Sequence, residues 1–363
     1  MHLDRKISET LALKGKIQAV DVFCGVGGLT HGLELAGIDV RLGIDVDPAC
    51  EFPYSANNKA EFLLKSVEEL KVDDLASIFS DNCIRLLAGC APCQTFSKYN
   101  RKAGLADKRW WLLSEFSRLV QEFSPELVTM ENVPGLIEHD VFKKFVADLE
   151  DSGYESSFRV VDCAEYGIPQ RRERLVLLAS KLGPISLLTP LELNSGVLTV
   201  REAIGSLPPL RPGEIHEHDP LHRCPSLSEL NLRRIESSKP GGTWRDWDED
   251  LVADCHKKKS GKTYPSVYGR MRLDEPSPTI TTQFYGFGNG RFGHPEQNRA
   301  ISLREGAILQ SFPPDYSFVP KSEKIFFKTI GKLIGNAVPV KLGEVIGKSV
   351  VEHVSISNRK IDQ

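Results

Sequence analysis

Apolar runs alternate with amphipathic stretches through the first half of this 363-residue chain. The apolar runs at residues 17–23 and 40–44 predict buried strands, and the amphipathic stretch at 29–36 between them predicts a helix. Further short apolar runs lie at residues 84–88, 127–130 and 174–179. A further helical pattern lies at residues 141–149, between two of these runs. This succession predicts an α/β fold whose mostly parallel sheet is covered by helices on both faces.

The sequence changes character after Ser180, where prolines and glycines become frequent. Such a composition predicts loops with short strands at best. Regular patterning returns near Leu303, and residues 332–353 predict one or two closing helices. We therefore expect a catalytic domain over residues 1–182, completed by residues 325–363, and a smaller irregular domain over residues 183–324.

The overall composition is that of an ordinary globular protein, with 40% hydrophobic and 26% charged residues. Its apolar runs are shorter than the roughly 18 residues of a membrane span, and its polar N-terminus does not resemble a signal peptide. Eight cysteines without framework spacing favour a reducing, cytoplasmic environment.

Charge is distributed unevenly along the chain. The net charge of −3 argues against indiscriminate binding of nucleic acid. Residues 256–272, however, contain six Lys or Arg and no Asp or Glu. This stretch could lie along a phosphate backbone, and a solvated loop is the alternative.

A glycine-rich turn follows the first predicted strand. Residues 21–29 have the sequence DVFCGVGGL, whose glycines permit a tight turn and a close approach of a ligand to the backbone. Asp45 lies about 20 residues after Gly25, where a carboxylate can accept hydrogen bonds from ribose hydroxyls. The adjacent Gly27 and Gly28 depart from the dinucleotide pattern and favour an adenosine ligand without a pyrophosphate, such as S-adenosylmethionine. A tight turn without a ligand is the alternative.

Cys93 and Glu131 each follow a predicted strand. Cysteine becomes a good nucleophile when it ionises, and Pro92 restricts the backbone that precedes Cys93. Glu131 is a candidate proton donor, although a lone glutamate can equally be structural. A thiolate and a carboxyl group indicate covalent attack on an electron-poor ring, and with the glycine-rich turn they favour methyl transfer to cytosine. Cys90 and Cys93 also form a C-x-x-C pattern, so redox or zinc chemistry are alternatives.

Arg172 and Arg174 precede another apolar run. In an extended segment their side chains would point the same way. Two guanidinium groups on one side could stabilise the carboxylate and hold a substrate phosphate or carbonyl group. An ordinary charged entry to a strand is the alternative.

These motifs resemble, in order and spacing, those of the DNA cytosine-5 methyltransferase family. The matching series is residues 23–28, Asp45, residues 92–94, residues 131–133, residues 170–174 and residues 335–338. The resemblance implies a Rossmann-like, S-adenosylmethionine-dependent methyltransferase with a smaller, irregular target-recognition domain. It also implies the modification enzyme of a bacterial restriction-modification system, which flips a target cytosine out of double-stranded DNA.

The same resemblance implies roles for individual residues. Cys93 would attack C6 of cytosine, and Glu131 would interact with N3 and the exocyclic amine, with Arg172 and Arg174 in support. The implied S-adenosylmethionine contacts are Phe23, Gly25, Val26, Gly27, Gly28, Asp45, Val46, Ser66, Val67, Pro92, Leu112 and Asn336. The expected DNA contacts are Gln94, Ser97, Arg270, Arg272 and Arg291.

Two positions depart from the family pattern. Val46 stands where an aromatic residue often stacks on adenine, and Ser66 stands where an aspartate is usual. A serine hydroxyl can still bind the adenine amine, but less strongly than a carboxylate. The histidines and cysteines between residues 216 and 256 match no zinc module, so we expect scattered surface histidines and no metal.

Two other functions are alternatives. A tRNA methyltransferase of the same superfamily would carry a Cys-Phe-Thr signature in the recognition segment, which this sequence lacks. A DNA-binding homologue without activity would have no need of Cys93, Glu131 and Arg172. We expect a monomer that associates with the bacterial nucleoid through DNA, and a cognate restriction endonuclease that acts separately.

Overall fold

A computed structural model describes residues 15–92, 111–263 and 265–361. The strands are β1 (Lys16–Val22), β2 (Asp39–Asp45), β3 (Glu61–Leu64), β4 (Cys83–Gly89), β5 (Leu127–Asn132), β6 (Glu155–Asp162) and β7 (Glu173–Ser180). The helices of the first half are α1 (Gly28–Leu35), α2 (Glu51–Asn57), α3 (Val72–Ala76), α4 (Trp111–Phe123) and α5 (Asp140–Asp151). Those of the second half are α6 (Val200–Ile204), α7 (Glu229–Glu236), α8 (Asp254–Lys257), α9 (Leu303–Leu309), α10 (Phe327–Asn336) and α11 (Val340–Ile361). In these three stretches no helix has the length and apolar character to cross a membrane.

The seven strands form one sheet in the order β3-β2-β1-β4-β5-β7-β6. All neighbours pair in parallel except β7, which is antiparallel to both β5 and β6. The mostly parallel α/β fold predicted from the sequence is therefore confirmed. The chain runs outward from β1 through β2 and β3, and then returns to place β4 on the other side of β1. At such a reversal, the carboxyl ends of the two strands flank the crevice in which α/β proteins bind ligands.

The core of the sheet is apolar because helices cover its strands. Val20, Leu87 and Val128 are buried in one hydrophobic cluster. Phe116 of α4 and Phe145 of α5 pack on this cluster with their ring centroids 5.9 Å apart. Full burial of each such side chain stabilises the folded state by roughly 1.5–3 kcal/mol. The strands whose ends carry polar residues are therefore held firmly in place by the core.

The chain divides into two compact units. The first unit runs to Asp162, resumes over Glu173–Ser195 and is completed by the C-terminal segment from Val338. The second unit comprises Cys163–Arg172 and Gly196–Ala337. The division falls between Arg172 and Glu173, so the two predicted support arginines belong to different units.

Two glycines let the C-terminal helix α11 pack closely on α1 within the first unit. A β-carbon at Gly32 would lie 2.3 Å from the carbonyl oxygen of Val340, and one at Gly343 would lie 2.9 Å from that of Leu29. Any larger residue would push these helices apart. Since α1 begins directly after the glycine-rich turn, this packing fixes the position of the turn.

Candidate active site

The glycine-rich turn at residues 23–28 has an unusual backbone. Phe23, Gly25 and Gly27 adopt left-handed conformations with φ of 62°, 53° and 87°. This conformation costs little for glycine but is uncommon for phenylalanine. A β-carbon on Gly27 would lie 2.3 Å from Nδ2 of Asn58, whereas one on Gly25 would have no neighbour within 4 Å. The turn is therefore closely packed at Gly27, whereas the space beside Gly25 is open to a ligand.

Asp45 ties this turn to the end of β2. Its Oδ2 accepts a hydrogen bond from the Gly25 amide at 2.8 Å, and its Oδ1 accepts one from the Asp47 amide at 2.9 Å. Both carboxylate oxygens are thus oriented by backbone donors and retain further lone pairs for hydroxyl groups. The neighbouring Val46 is 69% exposed, so an apolar side chain stands beside a fixed carboxylate.

The remaining predicted cofactor residues occupy several elements. Val26 is buried, Ser66 is half-buried at the start of a single turn over Val67–Glu69, and Leu112 of α4 packs against the core. Pro92 is exposed after β4. Asn336 is exposed at the end of α10 in the second unit. Within the first unit, the open turn, the fixed carboxylate and the exposed Val46 fit an adenosine-containing cofactor.

Asp21 is an acid beneath the turn that the sequence analysis did not single out. It is fully buried, and its Oδ2 accepts a 2.7 Å hydrogen bond from the hydroxyl of Thr30, which lies 3.1 Å from the hydroxyl of Tyr54. None of the described residues offers a donor to its Oδ1. Burial, followed by the charge of Asp45, raises the pKa of Asp21 to about 7, although the Thr30 hydrogen bond opposes this. The position before the glycine-rich turn was the signal that could have identified it.

Glu131 forms a buried ion pair with one of the predicted arginines. The Nε of Arg174 lies 2.7 Å from Oε1 of Glu131, and Glu131 is 7% exposed. Glu131 lies in β5 and pairs with Val176 of β7, so Arg174 reaches it from the neighbouring strand. Burial with a guanidinium partner holds this carboxyl group at the carboxyl end of the sheet.

Asn132 links the ends of β4 and β5. Its Nδ2 donates to the carbonyl oxygen of Ala91 at 2.9 Å, while its Oδ1 accepts from the amide of Val133 at 2.9 Å. Ala91 stands two residues before Cys93. This amide therefore positions the segment that leads to Cys93, while Cys93, Gln94 and Ser97 themselves lie outside the described residues.

The described partners of Arg172 and Arg174 differ, whereas their spacing predicted that in an extended segment the two side chains would point the same way. Strand β7 begins at Glu173, so Arg172 lies outside it. The buried guanidinium of Arg172 donates to the carbonyl oxygens of Ile280 and Gly335 at 3.0 and 3.3 Å, all in the second unit. Carbonyl groups thus orient Arg172, and Arg174 alone of the two has a described ion pair with Glu131.

Arg270 was predicted to contact DNA, and its geometry contradicts that prediction. It is 5% exposed, and its Nε and Nη2 both donate to the carbonyl of Ile235, at 3.1 and 2.8 Å. Nη1 donates to the carbonyls of His294 and Gln297, and Nη2 also donates to the side chain of Asn298. These five hydrogen bonds use every guanidinium donor, so Arg270 is a structural residue.

The other two predicted DNA contacts differ from Arg270 in their exposure. Arg272 is exposed and pairs with Glu275 at 2.6 Å. Arg291 is half-buried, and its side chain lies over Gly269, where a β-carbon would approach its Cγ to 2.9 Å. Both arginines thus remain candidates for DNA contact.

The expectation of scattered surface histidines is wrong for two residues. His222 is buried, with its Nδ1 2.9 Å from the Ser302 hydroxyl and its Nε2 2.8 Å from the Pro208 carbonyl oxygen. His256 is buried and stacks on Trp244 at 4.5 Å between ring centroids. Within the described ranges, no group of three His, Cys, Asp or Glu residues could hold a metal ion.

Comparison with known proteins identifies the family of this chain. Residues 17–352 match the family described as C-5 cytosine-specific DNA methylase. The chain is 52% identical to the Type II methylase M.HgiDII of Herpetosiphon aurantiacus, over 91% of this chain and 94% of that protein. It is 33% identical to the Type II methyltransferase M.Eco47II of Escherichia coli, over 97% and 83% of the two chains.

A solved structure shows the same fold. The crystal structure of a prophage-encoded E. coli protein, described as a DNA modification methyltransferase, aligns with a TM-score of 0.71 at 21% identity. The alignment covers 94% of this chain and all of that one. The protein belongs to the C-5 cytosine-specific DNA methylase family, as the sequence motifs predicted. It is thus a DNA cytosine-5 methyltransferase.

Proposed function

We propose that this chain transfers a methyl group from S-adenosylmethionine to C5 of a cytosine within a specific sequence of double-stranded DNA. The observation that carries the residue assignment is the buried Glu131–Arg174 pair at the carboxyl end of the sheet. Glu131 lies on β5, the strand next to β4, and Arg174 lies on β7 on the other side of β5. Strand β4 leads through Ala91 and Pro92 to Cys93. The similarity to Type II methyltransferases supports a role in protecting host DNA in a restriction-modification system.

Cys93 is the proposed nucleophile. The target cytosine must leave the stack, because its C6 is shielded within the duplex. Attack by the thiolate forms an S–C6 bond, breaks the C5–C6 double bond and moves electron density toward C5. C5 would then form a bond to the methyl group supplied by bound S-adenosylmethionine, whose S–CH3 bond would break so that S-adenosylhomocysteine leaves. Loss of the C5 proton and cleavage of the S–C6 bond then restore the C5–C6 double bond and release the Cys93 thiolate.

Glu131 is the proposed acid. Its carboxyl group would protonate or hydrogen-bond N3 of the ring, which offsets the charge that develops during attack by Cys93. Arg174 holds this carboxyl group from β7. Arg172, oriented by the carbonyl groups of Ile280 and Gly335, is proposed to support the cytosine carbonyl.

The cofactor is proposed to lie on the glycine-rich turn. Asp45 would accept hydrogen bonds from ribose hydroxyls, Val46 would contact the adenine face and Ser66 its amine. S-adenosylmethionine, when bound, supplies an electrophilic methyl group. The other proposed contacts are Phe23, Gly25, Val26, Gly27, Gly28, Val67, Pro92, Leu112 and Asn336.

DNA is proposed to contact Gln94, Ser97, Arg272 and Arg291. Exposed arginine side chains can bind phosphates or pair with guanine edges. The second unit, which contains the basic stretch at residues 256–272, is the proposed target-recognition domain. We propose that the enzyme acts as a monomer and that its cognate endonuclease is a separate protein.

The test is methyl transfer from radiolabelled S-adenosylmethionine to unmethylated genomic DNA, with tRNA in parallel. Cys93→Ala should abolish transfer, whereas Cys255→Ala, at an exposed cysteine, should not change it. Bisulfite sequencing should then place the new 5-methylcytosine at one short motif. Labelling of tRNA alone, or full activity of Cys93→Ala, would overturn the proposal.

A further inference from the structure

Cys90 lies directly beside the proposed catalytic acid. In the parallel pairing of β4 with β5, Gly89 is aligned with Met130. Continuing this register by one residue places Cys90 next to Glu131. The Cys90 amide also donates to the carbonyl oxygen of Val22 at 3.3 Å, so the backbone at Cys90 is held from β1 as well.

The Cys90 thiol interacts with Glu131 in two ways. It hydrogen-bonds the Glu131 carboxyl group, and its sulfur also accepts from the Glu131 backbone. Burial raises the pKa of Cys90 well above its ordinary value, and the charges of Glu131 and Asp21 raise it further. At neutral pH Cys90 is therefore a thiol, which can donate its proton to a carboxylate oxygen.

Glu131 is thus held by two unlike groups. Arg174 reaches it from β7 at 2.7 Å, and Cys90 reaches it from the end of β4. We propose that Cys90 is a positioning residue for the reaction, whose thiol fixes the orientation of the Glu131 carboxyl group opposite Arg174. This proposal rests on the proposed role of Glu131 and gives Cys90 a task distinct from that of Cys93.

Two substitutions separate positioning from packing. Cys90→Ala removes the donor, so the carboxyl group can rotate away from its productive orientation; we expect kcat to fall about fivefold to tenfold. The KM values for DNA and cofactor should stay within about twofold, because Cys90 contributes to orientation rather than to binding. Cys90→Ser keeps a hydroxyl donor in nearly the same place and should restore most of kcat.

The experiment measures kcat, both KM values and the pH profile of kcat on the full-length enzyme. Cys83→Ala is the matched control, since Cys83 is a buried cysteine at the opposite end of β4. The pH profile should change in Cys90→Ala, return in Cys90→Ser and stay unchanged in Cys83→Ala. Thermal unfolding of each variant shows whether the fold is kept.

Each outcome decides the matter. Unchanged kcat in Cys90→Ala, or equal losses in the alanine and serine variants, would overturn the positioning role. Glu131→Gln serves as the internal reference: if it is inactive while Cys90→Ala is fully active, only the inference about Cys90 fails. If Glu131→Gln retains full activity, or the wild-type enzyme methylates no DNA, the proposed function fails. The positioning role of Cys90 then fails as well, because it depends on the proposed role of Glu131.

Discussion

Charged side chains serve different purposes in the two compact units. In the first unit, Asp45 and Glu131 stand at the ends of parallel strands, each oriented by donors from a neighbouring strand or turn. In the second unit, Arg270, Arg299 and Arg304 are buried. They donate to carbonyl and carboxylate oxygens of the same unit. The first unit thus places charged groups at the candidate active site, whereas the second unit uses buried charged groups to hold its loops together.

The physical reason is the scarcity of regular pairing in the second unit. Within its described residues, β pairing is limited to isolated bridges, such as that between Arg270 and Gly293. Buried carbonyl groups outside sheets and helices need other donors, and a guanidinium supplies five. An arginine in a loop-rich region is therefore as good an indicator of internal support as of DNA contact.

The distinction between the two units would fail if the Glu131 carboxyl group at the end of β5 had only a structural role. Glu131→Gln should lower kcat by about 10²–10⁴-fold, because an amide cannot supply a proton to the ring. Steady-state methylation kinetics would measure this loss, with DNA binding and thermal unfolding recorded in parallel. Glu155→Gln, at an exposed position on the edge strand of the same sheet, should retain full activity.

The second unit is tested at its most deeply buried arginine. Arg299 is 0% exposed and pairs through both terminal nitrogens with Glu305 at 2.7 Å. Arg299→Met should lower the free energy of unfolding by about 3–5 kcal/mol, because it leaves a buried carboxylate without its partner. Urea denaturation would measure it. Arg233→Met removes an exposed pair with Asp250 and should cost at most about 1 kcal/mol; equal losses would contradict the distinction.

A pH experiment tests the buried acid of the first unit. The pKa of Asp21 is raised from 3.8 to about 7 by burial, so the folded state retains a proton that the unfolded state has lost. Its contribution to stability is fully present below pH 3.8 and is lost as the pH rises through about 7. Asp21→Asn should remove this dependence, with a difference of roughly 2–4 kcal/mol across the range. Denaturation curves at several pH values would measure it, and parallel curves for the two proteins would contradict the assignment.

The smallest expected effect is on DNA binding, where substitutions of Arg270 and Arg272 should have different results. Arg272→Ala should weaken DNA binding modestly and reduce the slope of log affinity against log salt by about 1, the loss of one phosphate contact. Arg270→Lys should leave that slope unchanged but lower stability, because lysine cannot replace five fixed donors. Fluorescence anisotropy over a salt series measures both. A reduced slope for Arg270→Lys would show that burial does not keep that side chain from DNA.

Local patterns predicted five of the seven described strands, the glycine-rich turn and the family, but not β3 or β6. They succeeded because apolar runs and glycines act over a few residues, and the order of motifs is written along the chain. The partners of Arg172 and Arg174 were not predictable in this way. Their spacing suggested a shared direction, but β7 begins between them, and packing of distant segments provided the carbonyl groups that hold Arg172.

The sequence alone determined the α/β class, the position of the glycine-rich turn and the family, since apolar runs, glycines and the order of motifs are read directly along the chain. Only the tertiary structure decided which charges are buried. Arg270 and Arg272 are two residues apart, yet one has all its donors occupied and the other is exposed. Likewise, Cys90 lies beside Glu131 because β4 and β5 pair in one particular register. Burial and register depend on contacts between distant segments, which a local pattern does not contain.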